Sequence, residues 1–146
     1  MEQLVQLMKV LLADTFAFRL KTQYYHWNIE GPDFAQYHKF LGKLYEEIDG
    51  AVDETAEKIR ALGAYAPGSF TRYLELANIQ CDDNITDAME MLRRVQADNE
   101  QMRRSLRAVH KKASELNEFG LLNFIEGRID AHDKHAWMLR SLQKKQ

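Results

Sequence analysis

Two imidazoles and two carboxylates, His26, His38, Asp53 and Glu57, are the side chains of this 146-residue sequence whose types and spacing could do chemistry. Imidazole nitrogen combined with carboxylate oxygen is a ligand set suited to iron, zinc or manganese. His26 and His38 stand at either end of an NIEGPD turn, Asn28 to Asp33, which would bring two rings together where an antiparallel helix pair begins. Asp53 and Glu57 are four residues apart, so on a helix their carboxylates leave one face. An acidic pair alone is more often a solvated, mildly repulsive surface, because acids lie outside as a rule. The histidines are the more telling half.

One molecule cannot bring all four groups to one metal. His38 and Asp53 are fifteen residues apart on one predicted helix, which is about 22 Å at 1.5 Å per residue. A shared ion needs its donors within about 2.0–2.2 Å. If the four are ligands, the histidines come from one chain and the acids from another. Antiparallel pairing of two copies of that helix about a two-fold axis does this, and forms two equivalent sites.

The elements that must position these groups are legible as apolar stripes. Leu4, Leu7, Met8, Leu11, Thr15 and Phe18 recur at helical steps and predict a first helix running to about His26. Gly31-Pro32 marks the turn, and Asp33 is a candidate N-cap. Tyr37, Leu41, Leu44, Ile48, Val52, Thr55, Ile59 and Leu62 form the second stripe, ending at Gly63. Gly42 and Gly50 lie inside it, each weakening the helix by about 1 kcal/mol relative to alanine. GAYAPGS is a loop, and TRYLELANI is long enough only for a short helix. A third long helix is predicted to begin near Asp82 or Asp83, with Ile85, Ala88, Leu92, Val95, Met102, Leu106 and Val109 in its seam and Asn99 as the one polar entry. After a break at Asn117–Gly120, Leu122, Ile125, Ile129, Ala136 and Leu139 make the fourth. Four long helices with a short one in the longest, middle connection predict an all-α, ferritin-like four-helix bundle forming one domain over residues 1–146.

Composition agrees. Hydrophobic residues are 45% and charged residues 29%, with only two prolines, the profile of a helix-rich globular chain. A net charge of -2 argues against a globally basic nucleic-acid binder. Cys81, the single cysteine, cannot form an internal disulfide. Glu2, Lys9 and Asp14 interrupt the apolar N-terminal stretch, which reads as a helix of the mature protein, with no membrane association and a cytoplasmic location expected.

The sequence HWN at residues 26–28, then Gly31-Pro32-x-Phe34, a histidine twelve residues after the first, and Asp53-x-x-x-Glu57, resembles the Dps mini-ferritins, DNA-binding proteins from starved cells. The resemblance continues through Ala61-Leu62-Gly63, Tyr73-Leu74-Glu75 and the closing Ala136-Trp137-Met138-Leu139-Arg140, nearly the whole chain. It implies a ferritin-like bundle assembled into a hollow homododecamer. It also implies a ferroxidase centre between two-fold-related subunits, where His26 and His38 bind iron from one subunit and Asp53 and Glu57 from its partner, with Trp27 beside the site. The implied activity is oxidation of Fe(II), preferably by hydrogen peroxide, with storage of ferric mineral in the shell and protection from oxidative damage. The intrasubunit E-x-x-H motif of ordinary ferritins is missing, since no histidine here has a glutamate three residues before it.

One departure stands out. The family usually has an acid one turn after the second histidine, where this chain has Gly42. Glu46 and Asp49 lie on roughly the same side and are candidates to compensate through water. The expectation is one metal held through His26, Asp53 and Glu57, with a second position weak or water-filled. His132 reads as a hydrogen-bonded core histidine, His135 with Asp130 and Asp133 as a solvated face, and His110 as helix-terminus electrostatics. Phe16, Phe18, Tyr24, Tyr25 and Trp137 read as packing. Glu118 and Glu126 are candidates for an acidic pore, although Asn123 stands where an acid is often found. Two further readings remain: a nucleoid protein that coats DNA, and a shell with impaired ferroxidase activity. Against DNA coating, the chain enters its first helix at once with Glu2 and no early lysine cluster, and Lys144 and Lys145 are too few for strong binding by counterion release.

Overall fold

The apolar stripes become helices because only the helical period gathers each onto one face. The computed structural model describes residues 1–145, in which they form α1 (Glu2–Asn28), α2 (Phe34–Ala61), α4 (Ala88–Glu115) and α5 (Phe119–Leu142), with α3 (Phe70–Leu76) between α2 and α4. Glycine sets two of the boundaries. Gly31 at φ 127° turns the chain between α1 and α2, and Gly63 at φ 93° ends α2, both in backbone conformations that a side chain resists. The start of the third long helix differs from expectation. Rather than starting near Asp82, α4 starts at Ala88, where Asp87 accepts from the Glu90 amide at 2.9 Å, and Ile85 is 54% exposed. The cause lies upstream: Asp82 accepts from the Tyr25 hydroxyl at 2.5 Å and from Arg94 at 2.7 Å, tethering that stretch to α1 and α4 as irregular backbone.

Cross-helix pairs fix the topology. His26 by His38 and Arg19 with Asp49 run α1 antiparallel to α2. Lys21 with Asp98 and Asp14 with Ser105 run α1 antiparallel to α4. Asn99 with His132 and Gln96 with Gln143 do the same for α4 and α5, and Glu47 with His135 and Lys58 over Phe124 for α2 and α5. It follows that α2 and α4 are parallel, so the connection between them must return along the bundle, and it carries α3 with it. The Asp14 carboxylate holds that return in place, accepting from the backbone amides of Asn78 at 2.7 Å and Ile79 at 2.9 Å. Burial raises the Asp14 pKa above the ordinary carboxylate value, against the lowering effect of those hydrogen bonds.

Leu11, Phe18, Leu41, Ile48, Leu92, Met102, Leu106 and Leu139 are buried in one continuous core, each side chain contributing roughly 1.5–3 kcal/mol by leaving water. A polar cluster interrupts it. Asn99 donates to the His132 carbonyl at 3.0 Å and bonds the His132 ring at 2.8 Å, so both expected polar entries in the seam satisfy each other. His135 corrects the sequence reading: it is 8% exposed, not on a solvated face, and its Nε2 lies 2.7 Å from Glu47. Arg128 bridges the cluster, with its guanidinium on both Glu47 oxygens and 3.1 Å from His132 Nε2. Burial opposes ionisation of Glu47, but hydrogen bonds from His135 and Arg128 prevail and hold its carboxyl well below the usual range.

His132 is fully buried, and burial first, then the Arg128 and His135 charges, keeps its pKa well below the ordinary histidine value. The unfolded chain therefore takes up a proton near about pH 6.5 that the folded chain refuses. Stability from this group is complete above that pH and falls as acid is added, by up to about 1.4 kcal/mol per pH unit. Denaturant titrations between about pH 7 and about pH 5 should show this loss, with a shallower slope for His132→Gln. Equal slopes would contradict the assignment.

Candidate metal centre

The histidine half of the site forms where α1 and α2 meet. The turn returns the chain so that the His26 and His38 rings stack with centroids 3.9 Å apart and planes 11° from parallel. Each ring is anchored on the other residue's backbone: His26 Nδ1 lies 2.6 Å from the His38 carbonyl oxygen and His38 Nδ1 lies 2.7 Å from that of His26. A carbonyl only accepts, so both Nδ1 atoms carry the proton in these bonds. In the neutral form of each ring that leaves Nε2 as the lone-pair nitrogen, the tautomer a metal requires. Tyr45 flanks His26 at 5.4 Å and Phe34 stacks on His38 at 5.0 Å, closing apolar walls around the pair.

Gly42 sits directly beneath His26. It is buried, and a Cβ built there would lie 2.8 Å from His26 Cε1 and 3.1 Å from Nδ1. The imidazole occupies the space that a side chain at this position would need. Sequence reasoning took Gly42 only as a missing ligand and a weak point in the helix. A glycine one turn beyond a histidine was the available signal, but which ring would fill the gap depends on how α1 crosses α2.

The acidic half lies further along the same unbroken helix. Asp53 and Glu57 are both exposed on α2, and a hydrogen bond with Asp53, followed by its charge, raises the Glu57 pKa. Two carboxylates in such contact repel when ionised, and a cation between them relieves that repulsion. The two halves do not meet within the chain: among the described residues, no three histidine, cysteine or acidic side chains converge to hold a metal ion. Of the candidates to replace the missing acid, Asp49 is engaged by Arg19 at 3.1 Å and Glu46 is exposed. Trp27 is 60% exposed beside the histidine pair in sequence, and Trp137 is 57% exposed rather than packed in the core. His110 lies 3.5 Å from Glu126, pairing one candidate pore acid with α4, while Glu118 precedes α5 as its N-cap without a capping hydrogen bond. No described helix is long and apolar enough to cross a membrane.

A ferritin-like domain model matches residues 5–146. An uncharacterized low temperature-induced protein of Nostoc is 34% identical over 94% of this chain and 78% of its own length. The DNA protection during starvation protein 2 of Bacillus anthracis is 29% identical, covering 96% of both chains. Among solved structures, the Dps protein of Vibrio cholerae, described as a member of a broad superfamily of ferritin-like diiron-carboxylate proteins, superposes with a TM-score of 0.94 at 27% identity, covering 98% of this chain and 90% of that one. With four antiparallel-paired helices, a long return connection bearing α3, and these relatives along almost its full length, the chain belongs to the ferritin-like family and, within it, to the Dps group.

Proposed function

We propose that this protein oxidises Fe(II) at a site shared by two subunits and stores the ferric product in a hollow shell. The observation that carries the reading is the pair of tautomer-fixed imidazoles at one end of α2, with a repelling carboxylate pair roughly 22 Å along the same rod. Each pair is half of a ligand set, and a second copy packed antiparallel supplies the other half. His26 and His38 bind from one subunit; Asp53 and Glu57 bind from its partner. Iron storage and oxidative protection are the general work of the family, which supports iron as the substrate.

Exposed apolar side chains support an assembly. Phe70 and Leu74 on α3 are 77% and 69% exposed beside a groove lined by Phe16, Leu20 and Tyr73. Side chains of that size clustered in water mark an interaction surface. In the proposed reaction, hydrogen peroxide takes one electron from each of two Fe(II) ions, takes up two protons and leaves as water. Carboxylates favour Fe(III) over Fe(II) because they stabilise the higher charge. The imidazoles add donors through Nε2, because Nδ1 of each ring is engaged by a backbone carbonyl. With glycine at position 42, one iron position is the stronger and the second is weak. The shell is a dodecamer, as the family resemblance implies.

His38→Ala and Asp53→Ala should each slow peroxide-dependent Fe(II) oxidation at least about tenfold, the smaller end of what losing even an outer-shell partner costs a metal site. Unchanged rates in both variants would refute the site and favour a shell without ferroxidase activity. Anaerobic calorimetry should find one Fe(II) per site at low free iron, and full two-metal occupancy would contradict the asymmetric site.

Some relatives are named for DNA protection, and here that protection is proposed to come from removing iron and peroxide rather than from coating DNA. The net charge of -2 supports this. A gel shift at low salt should show no tight complex; tight, salt-sensitive binding would overturn it.

A further inference from the structure

We infer that Arg128 is a built-in cation that determines where metal binds: its guanidinium fills a place inside the bundle where Glu47, His132 and His135 would otherwise hold a divalent ion. The basis is geometric. Arg128, His132 and His135 follow one another at four- and three-residue steps on α5, so they share one face of that helix, and Glu47 meets them from α2. Both Glu47 oxygens accept from the guanidinium, whose Nη2 lies 3.0 Å from Glu47 Oε1 and 3.1 Å from His132 Nε2. His132 can only accept there. Asn99 donates its amide to the His132 carbonyl and turns its Oδ1 to His132 Nδ1 at 2.8 Å, which puts the ring proton on Nδ1 and the lone pair on Nε2. A carboxylate and an imidazole lone pair thus converge on one positively charged nitrogen.

Imidazole with carboxylate suits a divalent transition metal, and the spacing suits one as well. Two imidazoles bound to one tetrahedral ion at about 2.0–2.1 Å place their ring centres roughly 5 Å apart. The His132 and His135 centroids are 5.2 Å apart, with planes at 90°. His135 Nε2 lies 2.7 Å from Glu47 Oε1, where it donates to the carboxylate, and it becomes a third donor if its proton moves to Nδ1. Access is not the obstacle, because a groove of about 530 Å³ lined by Phe40, Lys43, Glu47, Asp130, Lys134 and His135 opens onto the cluster. The obstacle is the guanidinium, which keeps its charge at any ordinary pH and has no lone pair to lend.

The test adds Co(II) to wild-type protein and to Arg128→Ala, followed by calorimetry and by the visible absorption of four-coordinate Co(II). Arg128→Ala should bind one more Co(II) per chain than wild type, and adding His135→Ala to it should weaken that extra site at least about tenfold. An assembled Arg128→Ala protein that binds no more Co(II) than wild type would overturn the inference. Because removing one member of a buried ion pair can itself destabilise a fold, wild-type crystals soaked in Co(II) give a second check that does not depend on the variant. No Co(II) between Glu47 and His135 is expected in them; an ion found there would overturn the inference. The inference stands apart from the intersubunit site. In chains that also carry Asp53→Ala and Glu57→Ala the extra Co(II) should persist, and its disappearance would assign it to the interface and overturn the inference, whereas Fe(II) oxidation by Asp53→Ala with Glu57→Ala alone bears only on the ferroxidase reading.

Discussion

The stiffness of one helix is the constraint on which the rest depends. α2 runs unbroken from Phe34 to Ala61 and carries three of the four proposed ligands, His38, Asp53 and Glu57, while His26 is brought beside His38 from α1. A helix cannot fold back on itself, so donors fifteen residues apart stay roughly 22 Å apart whatever their side chains do. In the proposed site each chain supplies only two donors at each place, too few to hold iron firmly. In the proposed assembly, oligomerisation is a requirement of the chemistry as well as a route to a shell, because symmetry completes the ligand set.

The bundle around α2 serves that arrangement. The turn at Gly31 brings α1 back so that His26 and His38 exchange hydrogen bonds with each other's backbone carbonyls. Those bonds orient both imidazoles and direct Nε2 away from the backbone, with no partner carboxylate consumed in the task. On the other side of α2, Arg128 and His135 hold Glu47, and Asn99 holds His132. These pairs tie α2 to α5 and α5 to α4 and fix the rotation of the rod about its own axis. Asp14 anchors the return connection that makes α2 and α4 parallel. The rotation of α2 decides which side chains face a second subunit, so core polar contacts bear on the distant carboxylates.

Helices were legible because stripes such as Leu41, Leu44, Ile48 and Ile59 repeat at a helical period and are buried as expected. The core role of His132 and Asn99 was legible for the same reason, since both fall within apolar seams. Contacts between helices were not. Ile85 continued a plausible seam, but Tyr25 and Arg94 hold Asp82 and keep that stretch out of α4. His135 lay among acids in sequence, yet its hydrogen-bond partner is Glu47, eighty-eight residues away. Gly42 showed the same limit: its absent side chain was visible in the sequence, while the imidazole pressed against it depends on how two helices cross.

Co-assembly of two inactive variants tests the shared site most directly. One chain would lack both histidines, His26→Ala with His38→Ala, and the other both acids, Asp53→Ala with Glu57→Ala. Each alone should be inactive in peroxide-dependent Fe(II) oxidation. After dissociation and random reassembly in equal amounts, every mixed two-fold pair regains one complete site, so roughly a quarter of wild-type activity should return. No recovery from properly assembled mixed shells would contradict a site divided between subunits.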